Sequence, residues 1–207
     1  MSEVIYLAPA KINLFLHITS KRPDGFHNLQ TIFQFLDYYD EITFRLRSDG
    51  VINRIYGNES ISPEQDLLLQ SANIIKKHSG SAAGIDIGIN KKIPAGGGLG
   101  GGSSNAATVL IALNKIWNLN LPKNEIFKIG QTLGADVPVF VSGYSSWAEG
   151  TGDILTPINL PKHFYLVVSI NKHISTKEIF SHKALTMSPV QRKISDFSLL
   201  SIYTTTA

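Results

Sequence analysis

Gly96-Gly97-Gly98-Leu99-Gly100-Gly101-Gly102-Ser103-Ser104-Asn105 is the most unusual stretch of the chain, and six of the chain's 17 glycines lie in it. Glycine at this density lets the backbone curl and direct several N–H groups at one spot, forming an anion-binding nest. Directly behind it, Ala106 to Trp117 is almost wholly apolar and free of Gly and Pro, which predicts a buried helix with Ser103 or Ser104 as its N-cap. The orphan N–H groups and the dipole of such a helix favour a phosphate at that end. The hydroxyls of Ser103 and Ser104 can add hydrogen bonds or reach a phosphate-bound Mg²⁺. A flexible hinge is the competing reading, but a hinge has little reason to sit between an Ile-rich strand and an all-apolar helix.

That strand is the alternation Ile85, Ile87, Ile89, which runs into Lys91-Lys92-Ile93-Pro94. Further upstream, Val4 to Leu7 and Lys11 to Ile18 read as extended segments separated by Ala8-Pro9-Ala10. Within the second, Ile12, Leu14, Leu16 and Ile18 share one face, and Lys11, Asn13, Phe15 and His17 the other. Arg22-Pro23-Asp24-Gly25 and Ser48-Asp49-Gly50 are turns, with strands expected at Leu29 to Phe35 and Glu41 to Leu46. Leu67 to Lys77 has the spacing of an amphipathic helix. Downstream, Pro122 to Leu133 is a second helix closed by Gly134. Asp136 follows in a turn, before an extended Val137 to Val141. Leu166 to Ile170 reads as a strand, and Thr176 to His182 as the opening of a helix. Mixed strands and helices without internal repeats predict an α+β fold.

The chain has 207 residues, 43% of them hydrophobic, so it can bury a sizeable core. No run approaches the ~18–20 apolar residues that span a bilayer, and the first residues resemble no leader; the expectation is a cytoplasmic protein, bacterial rather than plastid. Zero cysteines exclude disulfide frameworks, Cys-ligated zinc and thiol nucleophiles. The net charge of +3 is mild, and the basic pairs are scattered, so neither a nucleic-acid nor a membrane partner is expected.

The loop lacks the Gly-Lys-Ser/Thr of a Walker A motif. A dinucleotide-type GxGxxG can be read at Gly96, Gly98 and Gly101, but any glycine run satisfies it, and no acidic residue follows at a strand end. Protein-kinase motifs are absent. In its context, Pro94-Ala95 through Asn105-Ala106-Ala107, the loop resembles the second motif of the GHMP kinase superfamily. Ala8-Pro9-Ala10-Lys11-Ile12-Asn13-Leu14 resembles the first. Arg22 to His27, Gln30 to Asp37, Leu133 to Phe140 and Ala148 to Gly152 narrow the resemblance to the superfamily branch that phosphorylates 4-diphosphocytidyl-2-C-methyl-D-erythritol, over residues 5 to 182.

The resemblance implies a two-domain fold: a ribosomal-protein-like nucleotide-binding domain over residues 1–153, and a partial second α/β domain over 154–207. It implies ATP as co-substrate, with Mg²⁺, and the diphosphocytidyl alcohol as small-molecule partner. It makes Asp136 the catalytic base and places Lys11 beside it; from spacing alone, Asp136 reads as a turn residue and Lys11 as a solvated edge charge. Pro94, Ala95, Gly96, Gly97, Gly98, Leu99, Gly100, Gly101, Gly102, Ser103, Ser104 and Asn105 would hold the phosphates, and Asp66, Leu67 and Lys91 would meet the adenosine. Asn13 would bond the erythritol; Phe26, His27, Thr176 and Phe180 would form the cytosine site. Mevalonate and homoserine offer no base to stack, so these residues argue against kinases of those alcohols. A module binding RNA is the reading from another class.

The third motif of the superfamily is a glycine-containing loop, yet residues 153–207 contain no glycine. The expectation is therefore a kinase shortened at its C-terminus, with apolar surface around Phe164 to Val168 left exposed and little activity alone.

Overall fold

A computed structural model describes residues 3–57, 59, 61–168, 179–180, 182, 185–188 and 191–198. Two long strands open the chain, β1 (Glu3–Lys21) and β2 (His27–Arg47), antiparallel from Glu3↔Arg45 to Lys21↔His27. Their turn is the expected one: Gly25 takes φ 87°, and Arg22 N–H donates to the Phe26 carbonyl at 2.8 Å. The Ala8-Pro9-Ala10 segment does not interrupt β1; the strand passes it with a register shift between Pro9 and Lys11, where Pro can dispense with a ladder donor. Leu29 to Phe35 and Glu41 to Leu46 likewise join into β2.

Next come β3 (Ile52–Tyr56), α1 (Leu67–Ser79), β4 (Gly84–Asn90), α2 (Gly101–Ile116), α3 (Lys123–Leu133), α4 (Val137–Ser142), β5 (Ser146–Glu149) and β6 (Ile154–Pro157). One six-stranded sheet results, ordered β3-β4-β2-β5-β6, with β1 along the other side of β2. Strand β2 is long enough to pair β4 through Glu41–Arg47 and β5 through Thr31–Phe33. The expected domain division after residue 153 falls between β5 and β6, which are hydrogen-bonded partners, so the sheet extends to Pro157.

On one sheet face, Ile42, Phe44, Ile85, Ile87 and Ile89 meet Leu68, Ala72 and Ile75 of α1 and the apolar positions of α2. Each fully buried aliphatic side chain there contributes about 1.5–3 kcal/mol. Helix α2 lies at the centre, its Val109, Leu110, Ala112 and Leu113 sealed from water by the sheet, α1, α3 and α4. The other sheet face is partly covered by residues 191–198. There the Gln30 amide donates to the Arg192 carbonyl at 3.1 Å and accepts from the Arg192 N–H at 2.8 Å. Phe197 stacks on Phe15 with ring centroids 4.8 Å apart, and both rings meet Trp147.

Several expectations need correction. Helix α2 is capped by Gly100 in the left-handed region (φ 71°), not by Ser103 or Ser104, which lie inside the first turn. Only glycine reverses the chain this tightly without strain. Val137 to Val141 forms helix α4 rather than an extended stretch. Pro138 sits at its start, where a missing N–H costs nothing, and burial of Val137, Val139 and Val141 overrides their β preference. On β1, the expected apolar row does not keep one face: Leu14 and Leu16 are exposed, Ile18 is buried, and Lys11 of the polar row is buried too. Residues 161–168 carry neither helix nor strand, so the start of the expected Leu166 to Ile170 strand is not formed; no strand among the described residues pairs with it. Phe164, Leu166 and Val168 stand in solvent, as expected. Residues 169–170 lie outside the described residues, as does most of the expected Thr176 to His182 helix.

Candidate active site

The glycine loop is fixed at both ends by groups distant in sequence. Before it, the fully buried Asp40 carboxylate accepts from Lys92 N–H at 2.7 Å and Ile93 N–H at 2.8 Å, and pairs with Lys91 Nζ. At its far end, Lys11 N–H donates to the Leu99 carbonyl at 3.0 Å, tying the loop to β1. A Cβ on Gly100 would lie 2.8 Å from the Phe140 ring and 3.1 Å from Lys11 Cε; one on Gly101 would lie 2.8 Å from Lys91 Nζ. Glycine at 100 and 101 thus lets Phe140, Lys11 and Lys91 crowd against the start of α2. Gly98 shares a positive φ of 73° but has open space around it.

This contrast gives a first prediction. Both Gly98→Ala and Gly100→Ala carry the left-handed backbone penalty of about 1–2 kcal/mol, but only Gly100→Ala also displaces Lys11 and Phe140. Thermal denaturation should therefore show the larger loss for Gly100→Ala. Equal losses would mean that the close approach is unimportant.

Within the first turn of α2, Ser104 Oγ and Asn105 Oδ1 are buried and have no hydrogen-bond partner among the described residues. Buried polar atoms normally find partners, and here they accompany the free N–H groups of the helix start. Ser103 Oγ lies 3.7 Å from where a Cβ on Gly134 would stand, so the loop reaches the segment that carries Asp136.

Helix α4 brings Asp136 to β1. Its Oδ2 lies 3.1 Å from Lys11 Nζ, with Lys11 buried and the Asp136 side chain 35% exposed. The ammonium also donates to Asn13 Oδ1 at 2.7 Å and sits 5.2 Å from the centre of the Phe33 ring. Asn13 Nδ2 donates to Thr31 Oγ1 at 2.8 Å, and the Thr31 hydroxyl donates to the Phe15 carbonyl. Lys11, Asn13 and Asp136, which only the family resemblance grouped, lie together, with the carboxylate open to a ligand. Such an ion pair beside a phosphate nest can orient an alcohol and neutralise charge on a transferring phosphoryl group.

The residues expected at the cytosine are partly assembled. His27 and Phe180 rings lie 5.5 Å apart at 40°, although their positions are far apart in sequence. Phe26 projects into solvent from the β1–β2 turn. Thr176 lies outside the described residues. From the position opposite Asn13, Phe33, to His27 is six residues of β2, on the order of 20 Å at ~3.3 Å per residue. A ligand touching both ends must be elongated.

Around the expected adenosine site, Asp66 is committed elsewhere: its carboxylate caps α1 by accepting from Leu68 N–H at 2.9 Å and pairs with Arg54 at 2.7 Å. Leu67 packs towards Gly102, and Lys91 is neutralised by Asp40. Sequence reading missed Asp40, Thr31 and Phe140. Nothing singled out Asp40, because β2 also carries Asp37 and Glu41; Thr31 and Phe140 look like ordinary core residues.

A family model for the GHMP kinases N terminal domain matches residues 66–144. A 4-diphosphocytidyl-2-C-methyl-D-erythritol kinase of Ruthia magnifica subsp. Calyptogena magnifica is 59% identical over 195 residues, 94% of this chain and 68% of that protein. The chain belongs to the 4-diphosphocytidyl-2-C-methyl-D-erythritol kinase family. A second member of this kinase family, from Paraburkholderia xenovorans (strain LB400), is 51% identical over 92% of the chain and 65% of its own length. The aligned 195 residues exceed the 5 to 182 stretch over which the motifs were read. Among solved structures, a crystal structure of 4-(cytidine 5'-diphospho)-2C-methyl-D-erythritol kinase matches with TM-score 0.68 at 37% identity, over 76% of this chain and 56% of that one. The mevalonate kinase of Methanococcus jannaschii shares the fold at TM-score 0.57 and 17% identity. The GHMP kinase fold is thus established for the chain, which spans about two thirds of the length of the family members it matches.

Proposed function

We propose that this chain binds ATP and transfers its terminal phosphoryl group to the 2-hydroxyl of 4-diphosphocytidyl-2-C-methyl-D-erythritol, a step of isoprenoid precursor synthesis by the non-mevalonate route. The observation that carries this reading is the Lys11–Asp136 pair, 3.1 Å apart beside a glycine loop that opens a buried helix. Asp136 receives the alcohol proton as the oxygen attacks, Lys11 offsets charge on the reacting oxygens, and Asn13 aligns the alcohol. Residues 94–105 take the phosphates on backbone N–H groups and on the Ser103 and Ser104 hydroxyls. Among the described residues no cluster of three carboxylate or imidazole side chains could hold a metal by itself. Mg²⁺ fits as an ion carried by the triphosphate, meeting at most one or two protein oxygens; the unpartnered Ser104 hydroxyl suits such a role, and the ion would supply charge neutralisation.

Leu67 and Lys91 border the nucleotide, and Asp66 meets it only through its backbone. His27, Phe180 and the exposed Phe26 take the cytosine; the family resemblance adds Thr176 to this set. Among the described residues no helix is long and apolar enough to cross a membrane, and the relatives are bacterial; a cytoplasmic enzyme is the corresponding setting. ADP release should appear with the diphosphocytidyl alcohol and not with mevalonate or homoserine. Equal turnover of all three would defeat the substrate assignment.

A second reading, nucleotide binding with little or no turnover, is favoured by the exposed Phe164, Leu166 and Val168 close in sequence to the candidate cytosine residues. ATP binding measured by calorimetry without ADP release would support it over the first.

A further inference from the structure

Thr31 lies fully buried in β2 and is assigned no part in the chemistry above. Its hydroxyl stands between two groups of opposite character. The Phe15 carbonyl can only accept, so it takes the hydroxyl proton; the oxygen is then left to accept from Asn13 Nδ2 at 2.8 Å. This order of donors dictates which way the Asn13 amide faces. Its nitrogen must turn to Thr31, and Oδ1 is thereby presented to Lys11 Nζ at 2.7 Å. A reversed amide would set an NH₂ against an ammonium and a carbonyl oxygen against the hydroxyl lone pairs. Lys11, with three donors and no acceptor, fits only the observed sense, and it reaches Asp136 Oδ2 at 3.1 Å from there.

The anchor of this relay is itself fixed. The β1–β2 register shifts between Asn13 and Leu16, and Phe15 lies within that irregularity, where a strand can re-aim a backbone group away from its ladder. On the far face the Phe15 ring is held by Phe197 and Trp147.

We propose that Thr31 is a positioning residue for phosphoryl transfer: its hydroxyl anchors the Asn13 amide and, through it, the place of Lys11 Nζ beside Asp136. The proposal rests on the kinase reading of the site. A purely packing role would be filled equally by valine, which has the same shape.

Thr31→Val is the test. In its crystal structure the Asn13 side chain, its Nδ2 left without a partner, should shift from its place, and Lys11 Nζ should move off Asp136 with it. Unchanged Lys11, Asn13 and Asp136 side chains overturn the proposal, whether or not the chain turns over substrate. In kinetics, kcat should fall about tenfold to a hundredfold, as expected for a small misplacement of a reacting group. KM for ATP should stay within about twofold, and Thr31→Ser should recover kcat to within about threefold. A fall in thermal stability and ATP affinity together, without recovery by serine, would mark Thr31 as a packing residue only. For the case that Thr31→Val does not fold, NMR of the wild-type chain supplies the answer: one Asn13 side-chain N–H should be protected from exchange and the other not. Two equally exposed N–H groups overturn the proposal. Absence of ATP and alcohol turnover in the wild type would instead sink the kinase reading, leaving the amide orientation to judge Thr31.

Discussion

Asp136→Asn should lower the rate of ADP release by about 10²- to 10⁴-fold, the range supplied by a positioned acid–base group, while ATP binding measured by calorimetry changes little. Asparagine keeps the shape and can still accept a hydrogen bond from Lys11, but it cannot take up the alcohol proton. The carboxylate is open on one side and paired with Lys11 at 3.1 Å on the other, so its loss touches the reacting alcohol more than the nucleotide loop. Lys11→Met should be comparably damaging. It removes the charge opposite Asp136 and the donor to Asn13 but leaves the Lys11 N–H to Leu99 bond, which is backbone. Because the two side chains act as a unit, the double variant should be little worse than either single one. Additive losses would show that they work independently. Retention of more than about a tenth of the wild-type rate in Asp136→Asn would remove it from the role of base.

Asp40→Ala should be the most destabilising change in the loop's support, by about 3 kcal/mol. The side chain is fully buried, and its removal orphans the N–H groups of Lys92 and Ile93 and unpairs Lys91. For a chain of this size that corresponds to roughly 6–12 °C in Tm. Glu41→Ala, one residue on, breaks only exposed contacts, the pair with Lys92 and the bond from Asn90 Nδ2, and should change Tm little. If the two variants melted together, the buried carboxylate would not be what holds the loop. The same experiment should show weakened ATP binding in Asp40→Ala at temperatures where it is still folded, since Lys91 would no longer be held against Gly101.

Much of this architecture was legible in the residues. Six glycines in one short stretch ahead of an apolar helix have few physical uses, and the loop and α2 stand where that reading put them. Ile85, Ile87 and Ile89 alternate as β4 demands, and both polar turns of the first strands formed. What failed did so for local reasons. The serine caps of α2 were displaced because Gly100 turns the chain first, and the valines of α4 took helical form because burial outweighed propensity. Strand β3 was missed: Ile52–Tyr56 mixes apolar and charged residues without clean alternation. The candidate site divides in the same way. A phosphate nest could be read from composition, but nothing in spacing joins Lys11 to Asp136 or His27 to Phe180. Those meetings depend on the path of β1, α4 and the later chain, so only the resemblance to known kinases brought them together beforehand. Asp66 shows the converse, a residue expected near the nucleotide whose side chain is spent on capping α1.

The Gln30 amide that grips both backbone groups of Arg192 joins positions 162 residues apart. During synthesis at about 5–20 residues per second, β2 leaves the ribosome roughly 10–30 s before its partner segment exists. Through that interval the ring of Phe15, and from its own synthesis onward that of Trp147, wait without the ring of Phe197. A nascent chain with such a late closure folds slowly, because non-local contacts repay their loop entropy last. Until then the polypeptide is open to chaperones and proteases on the sheet face opposite its buried helices, at the strand whose other side carries Lys11.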